Sequence, residues 1–170
     1  MKIGDRIRIA RKINKITAIE LAKHIEISAP TLKKIEQNKG FVSLELIKKI
    51  GSYPKINISE NELSKYYYEQ NLEKKVIVRA RDGKVYIIIP SDIAIGFELE
   101  NNNSIFCCYL SQKLILAHQE NDEYVFEKRS IFKDRYSYYF FLGQRLKNLL
   151  GKTVTLNLDL KKKVLTIYLV

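Results

Sequence analysis

Along residues 1–55, apolar side chains return every three or four positions. They fall at Ile3, Ile7, Ile9, Ala10 and Ile13, then Ile19, Leu21, Ala22 and Ile25, then Leu32 and Ile35, then Leu44, Leu46, Ile47 and Ile50. That spacing keeps one face of an α-helix apolar, so four amphipathic helices are predicted. The polar punctuation agrees. Thr17, with Glu20 three residues on, forms a capping box for a helix over 18–25. Ser28 can cap the next helix, whose first turn tolerates Pro30, and Ser43 can cap the fourth. Gly40 and Gly51 fit helix ends. Pro54 interrupts the pattern. Ser59 and Glu62 make another capping box, opening a helix through ENELSKYYYEQNLEKK. This stretch is expected to complete the first domain or to act as a helical linker over 56–75. Tyr66, Tyr67 and Tyr68 point in different directions on such a helix, so at least one needs a packing partner.

From Val76 the texture changes to β. VIVRARDGKVYIIIP holds two β-branched runs around Asp82-Gly83, a hairpin-turn signal. SIFCCYL, KLILA, VFEKRSIF, SYYFF, TVTLNLDL and KKVLTIYLV follow, with short helices predicted near 91–97 and 143–150. The order strand, strand, short helix, strand, turn, strand occurs twice, giving a candidate repeat over 76–118 and 124–170. The expected fold class is α+β, an all-α N-terminal domain (1–55) followed by a β-rich domain (76–170).

Composition narrows the functional classes. The 170 residues suit one or two domains, and 46% apolar content is enough for a folded core. The formal charge is +11. Residues 1–55 hold 13 Lys/Arg against 5 Asp/Glu, and the rest hold 17 against 14. A positive excess concentrated in the first third favours a polyanion as partner. No apolar run approaches the length of a membrane span, and the charged start MKIGDRIRIARK has no secretory h-region. The adjacent pair Cys107 and Cys108 has the wrong spacing for zinc and suits a reduced, cytoplasmic setting.

The run IGDRIRIARKINKITAIELAKHIEISAPTLKKIEQNKGFVSLELIKKI, residues 3–50, resembles the helix-turn-helix of the Cro and phage-repressor (XRE-like) family without a gap. The physical reading stands beside it. Leu21, Ala22, Ile25, Ile27, Leu32 and Ile35 would form the shared core of the two motif helices, leaving Ala29, Pro30, Lys33, Lys34 and Gln37 on the opposite face of helix 28–38. The resemblance implies that this helix enters the major groove of duplex DNA. It puts Ala29, Pro30, Lys33 and Lys34 among the base readers. Lysine donates to guanine O6 and N7, and Ala or Pro can touch a thymine methyl. It puts Arg11, Thr17, Ser28, Asn38 and Lys39 among the phosphate contacts. Two positions depart from the family. Ala18 stands where glutamine is usual, which removes one phosphate clamp. Glu26 stands in the tight turn where glycine is frequent, at a cost of roughly 1 kcal/mol if its φ is positive. Arg6 and Arg8 read as plain surface, and His24 as structural or exposed.

VIVRARDGKVYIIIPSDIAIGFELENNNSIFCCYLSQKLILA resembles an AbrB/SpoVT-type swapped-hairpin element, with a basic first strand, a Gly turn, a β-run ending in Ile-Pro, a short helix and a closing hairpin. Its Ile89-Pro90 comes about two residues later than is usual there. SYYFFLGQRLKNLLGKTVTLNLDLKKKVLTIYL resembles the same pattern without the proline. In that fold two such units interleave into one core, which implies either pairing within the chain or dimerisation. Arg79, Arg81 and Lys84 would then lie near a candidate second DNA face, unless they are edge-strand charges that block aggregation. The aromatic residues Tyr136, Tyr138, Tyr139, Phe140 and Phe141 are expected in a core or dimer interface.

The leading expectation is a sequence-specific, double-stranded DNA-binding regulator, a dimeric repressor with no cofactor. Two other classes stand beside it. One is a self-cleaving enzyme with a Ser-Lys dyad. Ser91, Ser104, Ser111, Ser130 and Ser137 lack a nucleophile context, though, and the two histidines, His24 and His118, lie in different halves. No catalytic or metal-binding residue is therefore named. The other is an antitoxin-like module whose β-half binds a protein partner while its helices repress its own operon.

Overall fold

A computed structural model describes residues 1–101, 104–120, 125–135 and 137–169, with residue 101 as backbone only. Tyr136, and the first and last residues of the second expected repeat, lie outside that set. The chain is mixed α+β and divides into two compact units, Met1–Gln70 and Asn71–Val170. Among the described residues no helix is long and apolar enough to cross a membrane.

The first unit holds α1 (Ile3–Ile13), α2 (Ala18–His24), α3 (Ala29–Glu36), α4 (Leu44–Gly51) and α5 (Glu60–Tyr67). Four of them start at the polar residues expected, although at α5 the Glu62 carboxylate pairs with Arg6 and the expected capping box is reduced to the Ser59 cap. The hydroxyls of Thr17, Ser28, Ser43 and Ser59 each accept the backbone N–H three residues on, and Thr17 with Glu20 completes its capping box. The core gathers Ile7, Leu21, Ile25, Leu32, Ile35, Val42, Ile47, Ile50 and Leu63, all essentially excluded from solvent. Tyr67 is also buried, packed edge-on against Tyr68 and tilted against Phe41.

Not every periodic apolar residue is inside. Ile13 and Ile19 are 71% and 73% exposed. At 100° per residue, Ile13 sits roughly 90° off the stripe of Ile3, Ile7 and Ala10, and Ile19 more than 100° off that of Leu21, Ala22 and Ile25. Ile27, expected in the shared core, is half-buried.

Helix ends also differ from expectation. α1, α2 and α3 close on left-handed residues that are not glycine: Lys15 (φ 54°), Glu26 (φ 59°) and Asn38 (φ 57°). Each end makes the paired bonds of a Schellman motif, such as Lys15 N–H to Lys12 O and Ile16 N–H to Arg11 O. Gly40 and Gly51 take no positive φ. Gly51 is needed for space instead, because a Cβ there would lie 2.8 Å from the Glu60 nitrogen. The same is true of Gly4, where α1 crosses α3. A Cβ would fall 2.0 Å from the Ile35 carbonyl oxygen.

The helix expected through residue 75 stops at Tyr67, and Leu72–Ile77 is a strand. Residues 72–75 are therefore not linker but part of the second unit, paired from Leu72 opposite Leu158 to Ile77 opposite Thr153. That unit contains β1 (Leu72–Ile77), β2 (Arg79–Arg81), β3 (Lys84–Ile89), α6 (Ser91–Gly96), β4 (Ser104–Leu110), β5 (Lys113–Ala117), β6 (Glu127–Ser130), β7 (Phe132–Lys133), β8 (Tyr138–Phe141), β9 (Thr153–Asp159) and β10 (Val164–Tyr168). Short 3₁₀ turns cover Leu99–Asn101 and Gln144–Leu149.

The strands form two antiparallel sheets, ordered β1-β9-β10-β5-β4-β6 and β2-β3-β8-β7. Exchanging β1–β5 for β6–β10 reproduces both orders read backwards. Each half lends strands to the other, through β1·β9, β5·β10, β4·β6 and β3·β8. Asp82 (φ 51°) and Gly83 (φ 72°) make the two-residue turn between β2 and β3, as a tight hairpin requires. Ile87, Phe97, Phe140, Leu114, Leu156 and Ile167 are fully buried in the core of this unit.

Candidate nucleic-acid interface

The periodicity of α3 decides which residues it offers to a partner. Leu32 (0% exposed) and Ile35 (2%) anchor its underside. Pro30, Lys33, Lys34 and Gln37 are exposed, and Ala29 is half-buried. Ala29, Pro30, Lys33 and Gln37 line an open cleft of about 630 Å³ with Arg8, Arg11, Lys12, Ala18 and Glu36. The cleft thus follows α3 from Ala29 to Gln37, beside the C-terminal part of α1 and the start of α2, and four cations border it. Lys34 is exposed but outside the cleft.

The residues expected at phosphates divide into two groups. Ser28 and Thr17 are exposed helix caps, and Lys39 is exposed just beyond α3. Arg11 and Asn38 are committed to the fold instead. Arg11 donates from Nε to Glu36 Oε1 at 2.6 Å, from one terminal nitrogen to Glu36 Oε2 at 2.9 Å, and from the other to the Ile16 carbonyl at 2.9 Å. The Glu36 carboxylate, bonded to it, holds the Arg11 guanidinium above its ordinary pKa, against the opposing effect of burial. Glu36 is 6% exposed, and the pair ties α1 to α3. Asn38 accepts the Gly4 N–H at 3.0 Å and donates to Asp5 at 3.0 Å. Its amide thus braces the start of α1. Neither role is visible in local sequence, because both partners are distant along the chain.

Arg8 and Lys12 are the cleft residues that pattern reading passes over. Arg8 bonds Asp5 at 3.0 Å across one helical turn, and its side chain remains 46% exposed. A basic residue one turn before Lys12 on the same helix was the available signal. Arg6 turns away and pairs with Glu62 at 2.5 Å, joining α1 to α5. His24 lies tilted against Tyr53, with ring centroids 4.4 Å apart. Elsewhere on the unit, Glu26 is held below its ordinary carboxylate pKa by Lys49 at 2.6 Å, and Glu20 by Lys55 at 2.8 Å.

In the second unit, Arg79, Arg81 and Lys84 are exposed on β2 and at the start of β3. They share one face of the four-stranded sheet, since Arg79 is opposite Tyr86 and Arg81 opposite Lys84. Of the aromatic run, Phe140 is in the core, while Tyr138, Tyr139 and Phe141 are half-buried. Cys107 and Cys108 are buried free thiols.

Comparison with protein-family models, with curated proteins and with solved structures finds no match to this chain.

Proposed function

We propose that this chain is a sequence-specific, double-stranded DNA-binding regulator that lays α3 in the major groove and acts as a dimer. One observation carries the reading. α3 is held by Leu32 and Ile35 while Pro30, Lys33, Lys34 and Gln37 stay exposed, three of them (Pro30, Lys33 and Gln37) in a cleft also lined by Arg8 and Lys12. A helix with a buried apolar underside and a basic outer ridge suits groove entry. Cations beside it suit the flanking phosphates.

On this reading Ala29, Pro30, Lys33 and Lys34 meet base edges. The phosphate set is Arg8, Lys12 and Lys39, together with the backbone near Thr17 and Ser28. Arg11 and Asn38 stiffen the scaffold behind them. Two units about one helical turn apart on the duplex would read a palindrome. The second unit reads as two tandem AbrB-like swapped-hairpin elements within one chain. Its support is the strand order that survives exchange of the two halves.

The test is selection of bound sites from random duplexes, with a salt titration. Lys33→Ala should change base preference at one position of the selected site by about 1–3 kcal/mol, and Lys39→Ala should weaken all sequences alike. An unchanged motif and affinity in both variants would overturn the groove assignment.

A further inference from the structure

The four-stranded sheet turns its apolar side inward through Val85, Ile87, Ile89 and Phe140. Its other side is not the polar surface that such alternation usually gives. Across it, Arg79 is opposite Tyr86 and Tyr86 opposite Phe141, while Ile88 is opposite Tyr139 and Tyr139 opposite Phe132. Directly opposed residues share a face, so four rings lie together on it. Tyr86 meets Tyr139 at 5.6 Å and Phe141 at 5.9 Å, and Phe132 meets Phe141 at 4.9 Å. Phe132 is 52% exposed, and the other three rings are partly so. Arg79, Arg81 and Lys84 border the cluster, with the Lys84 ammonium 5.8 Å from the Phe141 ring centre. The acids nearest in sequence are engaged. Asp82 lies 3.6 Å from Arg81, and Asp134 accepts the Tyr139 hydroxyl.

We propose that this aromatic and basic sheet face binds single-stranded nucleic acid, with unpaired bases stacking on the rings and the backbone tracking Arg79, Arg81 and Lys84. Charge complementarity selects the occupant. Two copies of this chain meeting here would press these cations against their own copies, whereas a polyanion neutralises them. Rings add nothing for a duplex, whose bases already stack on one another, and they favour a strand whose bases are free. The site is separate from α3, so it stands or falls independently of the groove reading.

The experiment uses the full chain, a fluorescein-labelled oligo(dT) of about 12 nucleotides and a labelled duplex of equal length, read by anisotropy. Phe132→Ala and Tyr139→Ala should each weaken oligo(dT) binding about tenfold, as loss of one stacking contact implies, and leave the duplex unaffected. Tyr139→Phe keeps the ring and should keep the affinity. Lys33→Ala with Lys34→Ala should weaken the duplex and spare oligo(dT). Oligo(dT) affinity unchanged in both Phe132→Ala and Tyr139→Ala overturns the proposal. So does an equal loss for duplex and single strand, or a change in the free protein's sedimenting mass, which would make the face a self-association surface.

Discussion

Converting Glu36 to glutamine removes one charge from the most enclosed ion pair of the helical unit. The Glu36 side chain is 8% exposed and that of Arg11 13%. Glu36 accepts two guanidinium bonds, and Arg11 spends a third on the Ile16 carbonyl. Glu36→Gln keeps the shape and one acceptor but leaves the guanidinium without its counter-charge. Breaking such a pair costs about 3–5 kcal/mol. The bond to Ile16 and the residual solvent contact of Arg11 place this case near 3. For a unit of this size, each kcal/mol shifts Tm by about 4–8 °C, so the helical transition should fall by roughly 12–24 °C. Thermal and guanidinium unfolding followed by helical circular dichroism measure it. The double variant Arg11→Met with Glu36→Met leaves no buried charge and should recover to within about 1 kcal/mol of the parent. It should also keep the selected DNA motif, because Arg11 serves the scaffold. A Glu36→Gln cost below about 1 kcal/mol would show that the pair behaves like a surface contact and would refute the reasoning. Loss of DNA binding in a fully stable double variant would return Arg11 to the phosphates.

Three further outcomes follow from packing, backbone and titration. Gly4→Ala drives a Cβ to 2.0 Å from the Ile35 carbonyl, so α1 and α3 must separate, and denaturant unfolding should register a loss of about 2 kcal/mol or more. Lys15→Gly relieves a left-handed lysine at φ 54° and should raise stability by up to about 1 kcal/mol; a decrease would show that the Lys15 side chain contributes a contact. The carboxyls of Glu20 and Glu26 are depressed below 4.5, so their contribution is complete above that value and is lost as pH falls through the lower folded values. Tm of the helical unit should therefore be steady near neutrality and decline in acid below about pH 4.5, with Lys49→Met flattening part of that decline.

How much of this could be read from the chain depends on how local each interaction is. The caps at Thr17, Ser28, Ser43 and Ser59 were legible because donor and acceptor lie three residues apart. The Asp82-Gly83 turn was legible for the same reason. The buried side of α3 followed from a period of 3.6. The Arg11–Glu36 and Asn38–Gly4 bonds were not legible, because they span 25 and 34 positions, and a basic residue on a helix face reads alike whether free or paired. The first four residues of the strand at 72–77 were hidden by Glu73, Lys74 and Lys75, which carry no period-two apolar signal. Only its register against β9 makes it a strand. The aromatic run was expected as one group in a core or interface; of Tyr138–Phe141, Phe140 is buried and the other three are half-buried, because which side of a strand faces the core is set by its partners.

The pairing of the second unit bears on where a domain boundary can fall. Within the first half, β4 pairs with β5 and β2 with β3, whereas among the described residues β1 is bonded only to β9 of the second half. Among the described residues β6 in turn pairs only with β4. Taken alone, residues 76–118 would expose the unpaired edges of β3, β4 and β5, which are open templates for association. Each edge finds its partner in residues 127–168. The two candidate repeats thus belong to one compact unit and are not two domains in series. The two halves differ in sequence, so the two edges of the four-stranded sheet carry different chemistry. The arginines of β2 and the phenylalanine of β7 occupy equivalent edges, and that asymmetry lets one surface join positive charge to exposed rings.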